Sequence, residues 1–188
     1  MIMIPHPDQQ LIRASCAVLT ISDSRTPETD RSGQLIQALL QGAGHLIAAY
    51  QILPDEPDQI RQQIQAWTEI KNTRNITGNN PDSHNSEIVV NPDVVICNGG
   101  TGIAARDTTY DVLEQLLEKT LPGFGELFRF LSYQEIGSRA VASRAIAGLY
   151  HQKLIFSLPG ATNAVRLGME KLILPEIMHL IKQITGLS

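Results

Sequence analysis

Val94-Val95-Ile96-Cys97-Asn98-Gly99-Gly100-Thr101-Gly102-Ile103-Ala104-Ala105-Arg106-Asp107 is the stretch on which the reading of the fold rests. Val94 to Cys97 is β-branched and apolar, the pattern of a strand buried on both faces of a parallel sheet. The run ends in three glycines, which permit positive φ and let a ligand approach bare backbone. Amides at such a turn, followed by a helix N-terminus, favour phosphate. A tight turn with no ligand would look much the same, so the rest of the chain has to separate the two readings.

Upstream, Ser15 to Ile21 reads as a first strand, running into the polar loop Ser22-Asp23-Ser24-Arg25-Thr26-Pro27-Glu28-Thr29-Asp30. Hydroxyls and carboxylates after a buried strand mark a ligand loop in α/β proteins, although they also serve as turn and cap residues. Thr29 or Asp30 is expected to cap a helix with Leu35, Ile36, Leu39 and Leu40 on its apolar stripe, closed by Gly42 and Gly44. His45 to Leu53 supplies a second strand. A helix with Ile60, Ile64 and Trp67 on one face follows, with Pro57 in its first turn and Asp55 at its N-cap.

Downstream, Asp107 or Thr108 should cap a helix carrying Val112, Leu113, Leu116 and Leu117; Thr108 and Asp111 have capping-box spacing. Phe124, Leu127, Phe128 and Leu131 mark a short amphipathic helix. Ser138 to Tyr150 reads as an Ala-rich helix through Ala142, Ile146 and Leu149. Lys153 to Leu158 is a further strand, followed by Pro159-Gly160. A last helix starts at Thr162 and should kink or divide at Pro175. The predicted class is therefore α/β, a three-layer α/β/α sandwich with a mostly parallel central sheet. Residues 13–188 form a single domain behind a loose N-terminal arm at residues 1–12. A polar insertion at residues 71–87, too poor in apolar residues to pack, is expected to be a mobile surface segment. Polar turns after Ile21, Cys97 and Leu158 would emerge on one sheet edge and meet in one crevice.

The 188 residues suffice for one core without disulfides. A net charge of −4 and the lack of a long basic run argue against nucleic acid and anionic membrane as partners. Cys16 and Cys97 lie in apolar runs and read as small buried hydrophobes. No export signal or membrane-spanning run is evident, and a cytoplasmic location is expected. There is no phosphate-binding Gly-Lys-Ser/Thr loop, no Gly-x-Ser-x-Gly elbow and no His/Cys spacing suited to zinc. The Gly100 to Ala105 run fits a dinucleotide fingerprint only loosely. What remains is glycine-rich backbone with carboxylates at two helix starts, Asp55 and Asp107. That combination suits phosphate or nucleotide, with Mg²⁺ held by one or two carboxylates and the substrate phosphates. Phosphoryl-type transfer needs mostly positioning and charge neutralisation from the protein, so the missing nucleophile is compatible with it.

Five blocks in order resemble the MoaB/MogA family of molybdenum cofactor biosynthesis proteins: Thr20-Ile21-Ser22-Asp23-Ser24-Arg25, Leu53-Pro54-Asp55-Glu56, Gly99-Gly100-Thr101-Gly102 through Arg106-Asp107-Thr108-Thr109, Pro122-Gly123-Phe124-Gly125-Glu126 and Ser157-Leu158-Pro159-Gly160. The resemblance covers about residues 13 to 182 outside the insertion. Leu131-Ser132, Ser143-Arg144-Ala145 and Leu172-Ile173-Leu174-Pro175 look closer to the MoaB branch. The resemblance implies a homo-oligomer, trimeric or hexameric, and contact with other proteins of the pathway. For its catalytic members it implies Mg²⁺-dependent transfer of AMP from ATP to the terminal phosphate of molybdopterin; the alternative is a silent member that only binds molybdopterin or nucleotide. Asp55 and Asp107 match the family's two critical aspartates, and Gly99 to Gly102 match its nucleotide turn. Ser22, Asp23, Ser24, Arg25, Glu126, Ser138, Arg139, Pro159 and Gly160 are placed by the same resemblance around nucleotide or pterin phosphate.

Overall fold

A computed structural model describes residues 13–69 and 91–186. The expected N-terminal arm and the insertion at residues 71–87 lie outside the described residues. Six described strands form one mixed sheet in the order β2-β1-β3-β6-β5-β4. They are β1 (Ser15–Ile21), β2 (Leu46–Leu53), β3 (Val94–Asn98), β4 (Lys119–Thr120), β5 (Ile146–Tyr150) and β6 (Lys153–Leu158). The first four positions, β2 to β6, pair in parallel; β5 pairs antiparallel with both β6 and β4.

Alternation along the central strands sends side chains to two separate cores. Val18, Val94, Ile96, Leu154 and Phe156 pack on one face with α1 (Arg31–Gly42), α4 (Pro122–Ile136), α5 (Thr162–Gly168) and α6 (Leu174–Thr185). Ala17, Leu19, Val95, Cys97 and Ile155 pack on the other with α2 (Pro57–Thr68) and α3 (Thr109–Leu116). The three-layer α/β/α arrangement is thus observed. The central strands are largely apolar because both of their faces are covered, with Thr20, Asn98 and Ser157 as buried polar residues toward their carboxyl ends. Cys16 and Cys97 are free and buried, and burial pushes the thiols up to about 12, in keeping with their reading as packing residues.

Ser138 to Tyr150 departs from the expectation of an Ala-rich helix. Gly137–Ala142 is a 3₁₀ turn, and Ile146 to Tyr150 is β5. The helical spacing of Ala142, Ile146 and Leu149 is overridden by pairing with the β6 edge, where Ile146 lies opposite Ser157 and Leu149 opposite Leu154. Gly148 belongs to this strand because a Cβ there would strike the carbonyl oxygen of Lys119 on β4. The last helix is divided as expected. A π turn at Met169–Ile173 separates α5 from α6 and precedes Pro175, which has no N–H to continue an α-helical ladder.

The chain runs outward from β1 to β2 and then returns across β1 to β3. The switch point lies between β1 and β3, at their carboxyl ends, where open α/β sheets bind ligands.

Candidate functional site

A cleft of about 390 Å³ opens at that switch point. It is bounded by the loop after β1 (Ser22, Arg25), the glycine turn after β3 (Gly99 to Gly102) and the turn after β6 (Pro159, Gly160). Asp107 and the 3₁₀ turn with Arg139 complete the wall. The convergence of three strand-end turns expected from sequence is therefore present.

The glycines are required by the backbone path. Gly99 has φ +98° and Gly100 φ +61°, both in the left-handed region. A Cβ on Gly99 would overlap the Ile21 carbonyl, and one on Gly100 would overlap the side chains of Asp55 and Thr109. The turn is packed from behind, and Gly99 to Gly102 are among the residues lining the cleft.

Beneath it lies a buried polar network. Asp30, with no exposed surface, accepts from Thr20 Oγ1, Tyr50 Oη (2.8 Å), Ser32 Oγ (3.0 Å) and Gly33 N (3.0 Å). Burial works against its ionised form, but these hydrogen bonds outweigh it and hold the carboxyl below its ordinary range. Asn98 donates to Thr20 Oγ1 (2.8 Å) and accepts from Ser32 Oγ (2.7 Å), joining β1, β3 and α1. Arg25 extends the network to the cleft wall, reaching Asp30 Oδ1 (3.3 Å), Ser32 Oγ and the Gly160 carbonyl (2.9 Å). Asp30 is also the N-cap of α1, as expected, so one carboxylate caps a helix and anchors the site arginine.

The two aspartates differ in placement. Asp107 lines the cleft, and its Oδ2 accepts the Ala104 N–H (3.0 Å). It closes the loop rather than capping α3, whose N-cap is Thr108. The Thr108–Asp111 capping box does not form, because Asp111 pairs with Arg144 (2.9 Å). Asp55 is buried and does not cap α2; Glu56 holds that N-cap position without a side-chain bond. Its Oδ1 instead accepts the Thr108 N–H (3.1 Å) and hydroxyl (2.6 Å), supporting the start of α3 from behind the glycine turn. Burial raises its pKa, the Thr108 bonds oppose this, and the charges of Asp107 and Asp23 add to it.

Asp23 and Ser24 are exposed on the rim rather than in the cleft lining, and Ser138 is exposed one residue before the lining Arg139. Glu126 lines a different depression, between α4, β5 and Tyr110. Sequence reasoning placed no role on Arg144 beyond the family-like Ser143-Arg144-Ala145 tract. In the structure it lines the cleft and donates to the carbonyls of Thr101 (3.0 Å) and Gly102 (2.6 Å), with its guanidinium 4.7 Å over the Tyr110 ring. Asn98, inside the quoted stretch as a buried amide at a strand end, was the legible signal for the floor network.

Among the residues lining the cleft are three arginines and one carboxylate, Asp107. Such a surface suits a polyanion approached by a single cation. Among the described residues, no group of three or more His, Cys, Asp or Glu is gathered to hold a metal by itself, and no helix is long and apolar enough to cross a membrane.

Residues 17–73 and 71–179 match the family model described as a probable molybdopterin binding domain. "Molybdenum cofactor biosynthesis protein B" of Halalkalibacterium halodurans is 46% identical over 170 residues, spanning 90% of this chain and 89% of that protein. The protein of the same name from Bacillus subtilis is 45% identical over the same shares of both chains. A crystal structure of molybdenum cofactor biosynthesis protein B superposes with a TM-score of 0.80 at 44% identity, covering 95% of this chain and 99% of the other. The tungsten cofactor synthesizing protein MoaB from Pyrococcus furiosus superposes with a TM-score of 0.73 at 32% identity, covering 92% and 97%. Fold and sequence agree: the chain belongs to the MoaB/MogA family of molybdenum cofactor biosynthesis proteins.

Proposed function

We propose that this protein adenylylates molybdopterin. The observation that carries the reading is the cleft itself, with the glycine turn, Arg25, Arg139 and Arg144 around Asp107, the single lining carboxylate among the described residues. In the reaction a terminal phosphate oxygen of molybdopterin bonds to the α-phosphorus of ATP. The bond from that phosphorus to the bridging oxygen of pyrophosphate breaks, and adenylated molybdopterin and pyrophosphate leave. No protein nucleophile is needed, because the attacking phosphate is already anionic.

The arginines and backbone amides bind and orient the phosphates and offset the charge that develops at phosphorus. Mg²⁺ fits this donor set, since it commonly takes one or two carboxylates and fills its remaining positions with phosphate oxygens and water. Asp107 would hold it at the cleft wall with Asp55 behind, and the bound ion would supply further charge neutralisation on the ATP phosphates. Arg25 is kept in place by Asp30, Ser32 and Gly160, and Arg144 by Asp111 and two turn carbonyls. Both are positioned before substrate arrives, which lowers the cost of organising the reaction.

The homo-oligomer belongs to the same proposal. Leu127, Phe130, Tyr133 and Ile136 on α4, with Val141 beyond it, are 53%, 60%, 62%, 43% and 88% exposed. At about 100° per residue, Leu127, Phe130 and Tyr133 share the open side of α4 while Ile136 turns away toward its flank; such an exposed row is the kind of surface a second copy of the chain covers in a trimer or hexamer.

A second reading has its own support: Asp55 is spent on Thr108, which leaves Asp107 as the one lining carboxylate among the described residues. On that reading the protein binds molybdopterin or nucleotide without chemistry. Incubation with ATP, Mg²⁺ and molybdopterin separates the two, because only the first yields adenylated product and pyrophosphate.

A further inference from the structure

Arg106 lies next to Asp107 on the loop that carries the glycine turn into α3, and its side chain is 57% exposed. Its guanidinium nevertheless makes three hydrogen bonds to two other loops. Nε and Nη2 grip the two oxygens of Asp23 (3.0 and 2.9 Å) after β1, and Nη1 reaches Glu56 Oε1 (2.8 Å) after β2. Asp23 Oδ1 in turn accepts the backbone N–H of Asp55 (3.1 Å). A continuous chain of contacts therefore runs from the residue beside Asp107, through Asp23, to the backbone of Asp55. The Asp55 carboxylate closes the ring by accepting from Thr108, two residues beyond Arg106.

Exposed ion pairs of this kind contribute little to global stability. The geometry is more specific than stability requires. A planar guanidinium holding a carboxylate through two parallel bonds fixes orientation as well as distance, which an ammonium group does not. Ile103, Ala104 and Ala105, between the Arg144 bonds to Thr101 and Gly102 and the Thr108 bonds to Asp55, are all exposed, and this stretch is closed internally by Asp107 on the N–H and carbonyl of Ala104.

We propose that Arg106 is a positioning residue: it touches no substrate, and it sets the relative placement of Asp55 and Asp107 by tying the loop after β3 to the loops after β1 and β2. The inference rests on the reading of those aspartates as the functional carboxylates. It also assigns Asp23 a place as the partner of Arg106 on the rim, rather than as a direct phosphate contact. Asp23 and Glu56 are thereby kept occupied, so that Asp107 is the carboxylate the cleft presents.

The test uses the full chain with Arg106→Gln, Arg106→Lys, Asp23→Asn and the Arg106→Gln/Asp23→Asn double variant. Amide hydrogen exchange of residues 103–109 is followed together with adenylyl transfer. For Arg106→Gln the expected results are at least tenfold faster exchange in that loop, a kcat lowered about tenfold or more, and a KM for ATP within about threefold of wild type. The melting temperature should stay within about 3 °C of wild type. Arg106→Lys should restore part of the loop protection and part of kcat. The double variant should be no worse than the worse single variant, since both substitutions cut the same link. Unchanged exchange in the loop overturns the proposal, as does a loss of kcat that only tracks a loss of folded protein. Additive effects of the two substitutions also overturn it. Should the wild-type protein form no adenylated product, the adenylylation reading fails by itself, while the exchange and double-variant arms still decide whether Arg106 ties the loops.

Discussion

Asp55 accepts both the backbone N–H and the hydroxyl of Thr108, at 3.1 and 2.6 Å, across 53 positions of sequence. The carboxylate in the loop after β2 thus supports the start of α3, not that of α2 two residues away. This relationship binds the two aspartate loops together and defines what each aspartate can do. Asp55 organises from behind the glycine turn, and Asp107 faces the cleft.

Removal of the Asp55 side chain should accordingly act on stability as well as on activity. Asp55→Ala loses the support of the α3 start and should cost about 1–2 kcal/mol, as loss of a helix cap does. Asp55→Asn keeps an acceptor oxygen for Thr108 and should cost less. Urea melts of the two variants against wild type check the order, and equal stability of all three would contradict it.

Asp107→Asn should leave the fold and most nucleotide affinity in place while lowering turnover by about 10² or more, because the carboxylate lines the cleft rather than the core. Calorimetric titration with ATP alongside a turnover assay separates the effects. A loss confined to KM would assign Asp107 to binding alone.

The buried Asp30 makes stability depend on pH. Its hydrogen bonds hold the folded-state pKa below the ordinary value of 3.8. An acid whose pKa is depressed on folding stabilises the folded state above its unfolded pKa and loses that contribution as pH falls through the folded value. The Asp30 contribution should therefore be complete near neutrality and decline below about pH 4. Asp30→Asn should be less stable near pH 7 by about 2 kcal/mol, with a shallower fall in acid. Denaturant midpoints between pH 3 and pH 7 report both features.

Two glycines give a matched contrast. Gly99 combines φ +98° with a Cβ position overlapping the Ile21 carbonyl, so Gly99→Ala must move backbone and should cost about 3 kcal/mol or more. Gly123 in the first turn of α4 has nothing within 4 Å of its Cβ position. Gly123→Ala should be neutral or stabilising by up to about 1 kcal/mol. Thermal melts of both variants settle the comparison.

The α4 stripe supplies a further check. Phe130→Glu places a charge in the exposed apolar row beside Leu127 and Tyr133 and should shift the oligomer toward monomer without unfolding it. Light scattering at micromolar concentration should show a trimer or hexamer for wild type. A wild-type monomer would contradict the assembly.

The central strands and the convergence of their polar turns were legible because strands buried on both faces leave apolar runs that end abruptly in glycine and hydroxyl residues. Ser15–Ile21, Val94–Asn98 and Lys153–Leu158 carry that mark. The segment after Ser138 was not legible, because Ile146 to Tyr150 has a helical spacing by coincidence and becomes a strand through the β6 edge beside it. The local grammar of caps suggested an ordinary N-cap for Asp55, and no local rule reaches a partner 53 residues away. Arg144 was equally hidden, since its work depends on carbonyls of a turn more than forty positions upstream.

Formation of adenylated molybdopterin tests the central claim most directly. Purified protein, ATP, Mg²⁺ and molybdopterin should give adenylated product and pyrophosphate in equal amounts, and turnover should collapse with Asp107→Asn. Binding of molybdopterin with no adenylated product over many hours would contradict the catalytic reading and leave a protein that binds without transfer.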